Sequence, residues 1–396
     1  MDVDIPRVAI LVQGTEEYGV GQVALTLATE LRGRGGKPEI VAFERGALTE
    51  RCHAEGISCR LLDLPPWPRY VRSKWRTVLA VIRQRFWLRH ASRALSRCLR
   101  DLSAESLVVQ WPTHVELAGK SAQLAGIPCH WMMPNVIRNS WPLGMNRRFY
   151  RLLCRRLHVT PLPNSQYTSD SLGTGVGATV VYLGVDENRF RPKLAKAFTR
   201  SDLGLPQDAC VAGIFARIDP SKGQEPFWQA MVELIKEGHD LHLLLVGGLT
   251  DGPFAKQLRD IADGHGFAPR LHFAGRTDEP ERYYDAIDFA VNATLIPEGF
   301  GLSVVEAMLM GRPVLVHALG GPAETVLDGV TGWHVPEGTI EAFAAGLRRV
   351  MRDRAKWVEM GEAAQRRALE NFSASAFVSN YRRVLDRNTG PDRSPN

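Results

Sequence analysis

Short runs of β-branched and apolar residues alternate with longer helical patterns along the whole chain, and this alternation leaves few folds open. RVAILVQG, VGQVALTLATELRGRG and PEIVAF read in order as strand, helix and strand, and SLVVQW, IPCHWMM, HVTPLP and ATVVYLGV continue the series. After the connection VDENRFRPK a second series begins with CVAGIFARID and runs through HLLLVGG, LHFAGR, DFAVNAT, RPVLVHAL and GWHVP. Strands separated by helices build βαβ units, in which a parallel sheet is covered on both faces. The expected class is therefore α/β, and 396 residues exceed what one core serves, so two domains are expected. The boundary falls near residues 184–193, giving domains at 1–185 and 186–373. A last helix at 374–388 follows the second domain, and the polar stretch NTGPDRSPN ends the sequence, with 389–396 expected to be disordered.

Charge divides the same way, with 29 Lys and Arg against 16 Asp and Glu in residues 1–200, and 20 against 27 in the remainder. The six cysteines are scattered without a C-x-x-C pair or a histidine at metal-ligand spacing, so reduced thiols in a cytoplasmic protein are expected, not a disulfide framework or zinc. The start MDVDIPR is acidic and leads into a strand, unlike a signal peptide, and no apolar run reaches the ~18 residues that cross a bilayer.

In open α/β sheets ligands sit beyond the carboxyl ends of the strands, where helix N-termini offer unpaired N–H groups. The stretch EGFGLSVVEAM lies at such a place, after DFAVNAT, and sets Glu298 and Glu306 around two glycines. Ser303 and Glu306 have capping-box spacing, and Glu298 between Pro297 and Gly299 also suits a plain turn, so both local readings stand beside a ligand-binding one. Arg217 and Lys222, in FARIDPSKGQE, follow another strand and precede a helix that starts near Glu225. Solvated loop charge is their ordinary fate. Two cations beside a glycine loop also suit a diphosphate, with the guanidinium as a fork and the ammonium as a point charge. In the first half, Gly19-x-Gly21-x-x-Ala24 only partly matches the dinucleotide fingerprint, since its glycines come several residues after the strand, and no P-loop motif exists.

These residues resemble the retaining glycosyltransferases of family 4, whose GT-B architecture sets two facing Rossmann-like domains around an interdomain cleft. The resemblance runs from ARIDPSKGQE through LLLVGG and HFAGRTDEPERYYDAIDFAVNATLIPEGFGLSVVEAMLMGRPVLVHALGGPAETVLDGVTGWHVPEG, with a weaker match in YGVGQVALTLATEL and in LGVDENRFRP. It implies transfer of a hexosyl or N-acetylhexosaminyl group from a nucleotide diphosphate sugar, UDP ahead of GDP, to an acceptor hydroxyl with retained configuration. Neither a metal nor a cofactor is implied. Glu298 would contact the transferred sugar, Arg217 and Lys222 would neutralise the departing diphosphate, and Glu306 would hold the ribose hydroxyls. Gly19 and the backbone at Phe300, Gly301 and Leu302 would bind phosphate and sugar, and the loop at Gly275 and Arg276 would meet the base. The first domain would serve the acceptor, and the last helix would cross back to it. Two departures stand out: Tyr18-Gly19 replaces a pair of glycines, and Pro134-Asn135 stands where many members carry a histidine, with His114 and His130 nearby.

From Arg69 to Arg100 the chain holds ten Lys and Arg and no acid, interleaved with Trp75, Phe86 and Trp87, and RRFYRLLCRR at 147–156 is a second basic patch. Arg85, Arg89, Arg93 and Arg97 recur every four residues and would line one helical stripe. A solvated face, an anionic membrane surface and nucleic acid are the three readings, and no nucleic-acid reader motif accompanies the patch. The expectation is a cytoplasmic enzyme, peripheral on the membrane face, with a glycan or lipid-linked acceptor and no nucleic acid. Its alternatives are a transferase with a soluble acceptor and a nucleotide-sugar binder without turnover.

Overall fold

The structure, a computed structural model, describes residues 6–16, 19–64, 74–137, 145–192 and 197–389. Tyr18, residues 69–73 of the basic stretch and the tail from 390 onward lie outside the described residues. The chain divides into two compact units, one formed by the sequence up to Gly184 with the segment from Phe377 onward, the other by Val185–Ala376.

The first unit carries a parallel sheet of β1 (Val8–Val12), β2 (Glu39–Ala42), β3 (Cys59–Leu61), β4 (Ser106–Val109), β5 (Cys129–Met133) and β6 (Val159–Pro163), in the order β3-β2-β1-β4-β5-β6. Every residue of β1 is buried, as expected of a strand with helices on both faces, and such strands read as unbroken apolar runs. Its helices are α1 (Val20–Gly33), α2 (Ala47–Ala54), α3 (Lys74–Asp101), α4 (Val115–Ala125), α5 (Met145–Leu157) and α6 (Gln166–Leu172). In α1, Val23, Leu27 and Leu31 are buried at helical spacing, which fixes the face it turns to the sheet.

One expected strand does not form. Residues 178–185 run beside β6, and the Thr179 and Val181 amides donate to the Pro161 and Pro163 carbonyls at 3.2 and 2.9 Å. A parallel ladder needs the return bond from position 163, and proline has no N–H to give. The pairing is therefore one-sided and the segment stays outside the sheet.

The second unit repeats the architecture with β7 (Cys210–Phe215), β8 (Leu241–Val246), β9 (Leu271–Gly275), β10 (Phe289–Asn292), β11 (Val314–His317) and β12 (Gly332–Val335), in the order β12-β11-β10-β7-β8-β9. Its helices are α7 (Gln224–Lys236), α8 (Pro253–Gly264), α9 (Leu302–Leu309), α10 (Pro322–Thr325), α11 (Ile340–Arg352) and α12 (Trp357–Asn371). Phe343, Leu347 and Val350 bury one face of α11 against the core that holds Trp228, Phe289 and Trp333, and the Thr339 hydroxyl caps the helix start by accepting from the Ala342 amide at 3.2 Å. Both sheets have the doubly wound order in which the chain reverses direction across the sheet between its first and fourth strands, β1 and β4 in one, β7 and β10 in the other.

The last helix, α13 (Ala374–Thr389), buries Phe377, Val378 and Tyr381, and from Phe377 on it packs with the first unit. His130, fully buried on β5, meets the Tyr381 ring edge-on at 5.8 Å, so this histidine is a core residue that seats α13. All six cysteines are free. Burial pushes the thiols of Cys52, Cys154 and Cys210 up to about 12, which leaves them inert.

Candidate functional site

The chemistry-bearing residues of the second unit converge on the reversal between β7 and β10. The loop after β7 carries Arg217, Asp219 and Lys222. Asp219 accepts from the Ser221 hydroxyl and from the Ser221 amide, the latter at 2.9 Å, which closes a tight turn over Pro220–Lys222. Those bonds hold the Asp219 carboxyl below the usual carboxylate range. The turn presses on the loop after β10: Leu295 donates its amide to the Ser221 carbonyl at 2.8 Å, and the Thr294 hydroxyl donates to the same oxygen at 3.3 Å. Gly223, at φ 71°, lets this happen, since a Cβ there would lie 1.9 Å from the Ala293 carbonyl oxygen.

Across that seam Lys222 Nζ donates to Glu298 Oε1 at 3.1 Å, and Asn292, the last residue of β10, donates from Nδ2 to Glu298 Oε2 at 3.0 Å. Both partners of the ion pair are about one-quarter exposed, so the carboxylate is oriented yet open to solvent. Its backbone is pinned as well, because the Gly321 amide donates to the Glu298 carbonyl at 2.9 Å and a Cβ on Gly321 would lie 2.2 Å from the Gly299 carbonyl oxygen. The GGPAE segment thus serves as the floor of the Glu298 loop. Arg217 behaves differently. Gln224 donates to its carbonyl at 2.7 Å and fixes its backbone, while its side chain is exposed and makes no hydrogen bond or ion pair among the described residues.

Glu306 is not a capping residue. Helix α9 starts at Leu302 with Gly301 as its cap, so Ser303 lies inside the helix and the capping-box reading fails. Instead Glu306 Oε2 accepts from the Tyr284 hydroxyl at 3.0 Å, and Tyr284, fully buried, stacks on Phe215 at 3.8 Å between ring centres. Burial pushes the Glu306 carboxyl up to about 7, with Glu281 adding to the rise, while the Tyr284 hydrogen bond and the Arg189 charge oppose it. Arg189 is itself bonded to Glu281 at 2.7 Å. Tyr284, Arg189, Glu281 and Asn292 escaped the sequence reading because each comes from another element; the paired tyrosines in DEPERYYDAID were the visible signal.

Phe300 is buried and meets Phe372 at 5.8 Å between ring centres, so its side chain is core, while Gly301, at φ 87°, turns the backbone into α9. That cap has no side chain and so offers the first N–H groups of α9 no side-chain acceptor of its own. Gly275, at φ 80°, ends β9 and leaves Arg276 exposed beyond it, and the Gly247 amide ties this loop to that of β8 through the Gly275 carbonyl at 2.9 Å. Of the predicted residues, Lys222 and Glu298 are joined directly, Phe300, Gly301, Leu302 and Glu306 continue the Glu298 loop into α9, and Arg217 and Arg276 follow β7 and β9, on either side of β8. Gly19 belongs to the first unit, where it caps α1 at φ 54°.

A two-unit α/β fold with paired doubly wound sheets and this glycine-braced carboxylate and lysine is the GT-B class of glycosyltransferase folds. Residues 195–367, most of the second unit, match the family described as Glycosyl transferases group 1. Among curated relatives, the D-inositol 3-phosphate glycosyltransferase of Streptomyces avermitilis is 35% identical over 48% of this chain and 42% of its own length. The GDP-mannose-dependent alpha-(1-6)-phosphatidylinositol monomannoside mannosyltransferase of Mycolicibacterium smegmatis is 33% identical over 52% of this chain and 57% of its own. The chain thus spans about half the length of the curated relatives it matches. Among solved structures, a glycosyltransferase from Rickettsia africae superposes with a TM-score of 0.82 at 16% identity, covering 98% of this chain and 100% of the other. HepE of Anabaena, in complex with UDP and glucose, gives 0.77 at 20% identity over 96% and 99%. At these identities the likeness is one of fold.

Proposed function

We propose that the chain is a glycosyltransferase that moves a hexosyl or N-acetylhexosaminyl group from a nucleoside diphosphate sugar to an acceptor hydroxyl, with retained configuration and no metal on the protein. The Lys222–Glu298 pair at the reversal between β7 and β10 carries this reading. Breaking a glycosyl–phosphate bond develops negative charge on the departing diphosphate and positive charge on the sugar. A fixed ammonium beside an oriented carboxylate suits both, the first by neutralising the leaving group, the second by ordering sugar hydroxyls and supporting the oxocarbenium-like ring. Arg217, exposed at the same strand end, is free to fold onto the diphosphate, and the open N–H groups at the start of α9 add donors for phosphate. Glu306 would take the ribose hydroxyls, and the loop at Gly275 and Arg276 the base. The Mycolicibacterium relative favours a GDP-hexose and the Anabaena neighbour a UDP-hexose. Titration calorimetry with UDP, GDP, their sugar conjugates and NAD, on the wild type and Glu306→Ala, tests the reading. One nucleotide class should bind and weaken in the variant; binding of NAD alone would sink it.

A lipid-linked or glycan acceptor at an anionic membrane face is the reading that the outer helices favour over a soluble acceptor. Arg85, Arg89, Arg93 and Arg97 are all exposed on α3, while Trp87 is core. Helix α5 exposes Met145, Phe149 and Leu152, with Leu152 at 64%, between the exposed Arg148, Arg155 and Arg156. Apolar residues at helical spacing flanked by arginines suit the headgroup boundary of a bilayer. No helix among the described residues is long and apolar enough to cross one. Sedimentation with anionic and with neutral vesicles tests this, and equal partition to both would remove it.

A further inference from the structure

The reversal between β1 and β4 in the first unit holds a pocket of about 360 Å³ lined by Gln13, Thr15, Glu16, Trp111, Thr113 and His114. It lies beyond the carboxyl ends of both strands, where a doubly wound sheet places its ligand, and its size is at the small end of the ~300–1,000 Å³ of ligand pockets.

Its chemistry differs from that of the second unit. Glu16, only 8% exposed, accepts from the Gln13 amide at 2.7 Å and the Trp111 indole N–H at 2.8 Å on Oε1, and from the Gly14 amide at 2.7 Å on Oε2. The carboxylate is thus locked in place, locks the Trp111 ring with it, and keeps acceptor capacity on Oε2 among the described residues. None of the six lining residues is Lys or Arg. His114 stands against the Phe43 ring at 4.7 Å, and burial lowers its pKa to about 4 against the pull of Glu16, so it adds no positive charge near neutrality. An anion here would face a fixed negative charge with no Lys or Arg among the lining residues to meet it. A ring with hydroxyls at its edge and C–H groups on its face meets what is offered: an indole surface, two threonine hydroxyls and a carboxylate acceptor.

We propose that this pocket binds a neutral polyhydroxyl ring, a sugar or a cyclitol, and rejects the phosphate monoester of the same ring. That the ring is the acceptor of the transfer rests on the function proposed above; the binding and its charge preference do not.

Saturation-transfer NMR with methyl α-mannoside, myo-inositol and the monophosphate of each tests the pocket on the intact chain, with UDP and GDP in parallel tubes. The neutral probes should exceed their monophosphates by about tenfold or more, the effect of about 1.4 kcal/mol of charge repulsion. Trp111→Ala should abolish the neutral signal while thermal unfolding stays cooperative, and Trp111→Phe, which keeps the ring and loses the N–H, should retain part of it. Thr113→Lys, at an exposed position, should bring the monophosphates into the pocket. Monophosphates that bind the wild type as well as the neutral rings overturn the proposal. So does a neutral signal that survives Trp111→Ala, or none at tens of millimolar. Nucleotide signals that persist through any of these results leave the transferase reading standing, whereas their loss with intact sugar binding strikes that reading alone.

Discussion

The two units share one strand order and carry opposite chemistry at the same topological point. Between β7 and β10 a lysine and a glutamate face each other across the seam, 3.1 Å apart and partly open to solvent. Between β1 and β4 a buried glutamate is instead held by three N–H donors beside a tryptophan, with no Lys or Arg among the lining residues. Topology fixes where a ligand can sit; the loop residues fix its charge. The second unit's end suits a diphosphate, the first unit's a neutral ring.

Removing the cation should break that contrast most severely. On the proposed reaction Lys222→Ala deletes a preorganised charge where the leaving group would gain its own, and a loss of ~10²–10³-fold in kcat is the expected outcome in a transfer assay with saturating donor. A drop of less than about tenfold would mean that the ammonium matters for holding Glu298 and not for the departing diphosphate. In either case the neutral-ring binding of the first unit should be unmoved.

The next effect compares two glycines of similar backbone. Gly223 has φ 71° and a Cβ position 1.9 Å from the Ala293 carbonyl oxygen, whereas Gly126, at the end of α4, has φ 76° and open space. Alanine at Gly126 should cost only the left-handed backbone, ~1 kcal/mol, while Gly223→Ala must also part the two loops and should cost several times that. Urea unfolding of both variants checks it. Equal losses would show that the seam between the β7 and β10 loops is softer than its hydrogen bonds imply.

Much of this was legible in the sequence, and the failures have physical causes. Long apolar runs such as LHLLLV declare buried parallel strands, but β3, with Cys59, Arg60 and Leu61 at a half-exposed sheet edge, has neither the length nor the β-branched content to be seen. The run at 178–185 has strand composition and fails for lack of N–H groups on its neighbour. Glu298 and Lys222 could be found because glycine loops at strand ends mark the place. Their setting could not: Asn292 reaches Glu298 from a strand, and Tyr284 reaches Glu306 across 22 residues of chain. The S-x-x-E spacing in turn misleads, since Ser303 is the second residue of α9 and Gly301 is its cap.

The smallest effect separates the Glu306 carboxyl of the second unit from the histidines of both. Glu306, raised to about 7 from an ordinary 4.5, binds a proton more readily in the folded chain than in the unfolded one. Its contribution to stability is therefore complete below about 4.5 and lost as pH rises through 7. His114 and His130 in the first unit and His242 in the second are lowered to about 4 by burial, and His272 is lowered too. These act in the other direction, stabilising above about 6.5 and failing as pH falls toward 4. Glu306→Gln keeps the Tyr284 hydrogen bond acceptor and every histidine, so subtracting the variant's unfolding curve from the wild type's isolates the carboxyl. That difference should decline steadily between pH 5 and pH 8 in thermal unfolding at matched ionic strength, and a flat difference would mean that the folded carboxyl titrates in its ordinary range. Ligand binding sharpens the same point: if two ribose hydroxyls are to donate to Glu306, it must be ionised, so nucleotide affinity should tighten as pH rises through 7 and binding below that pH should release a proton, measurable as a buffer-dependent heat.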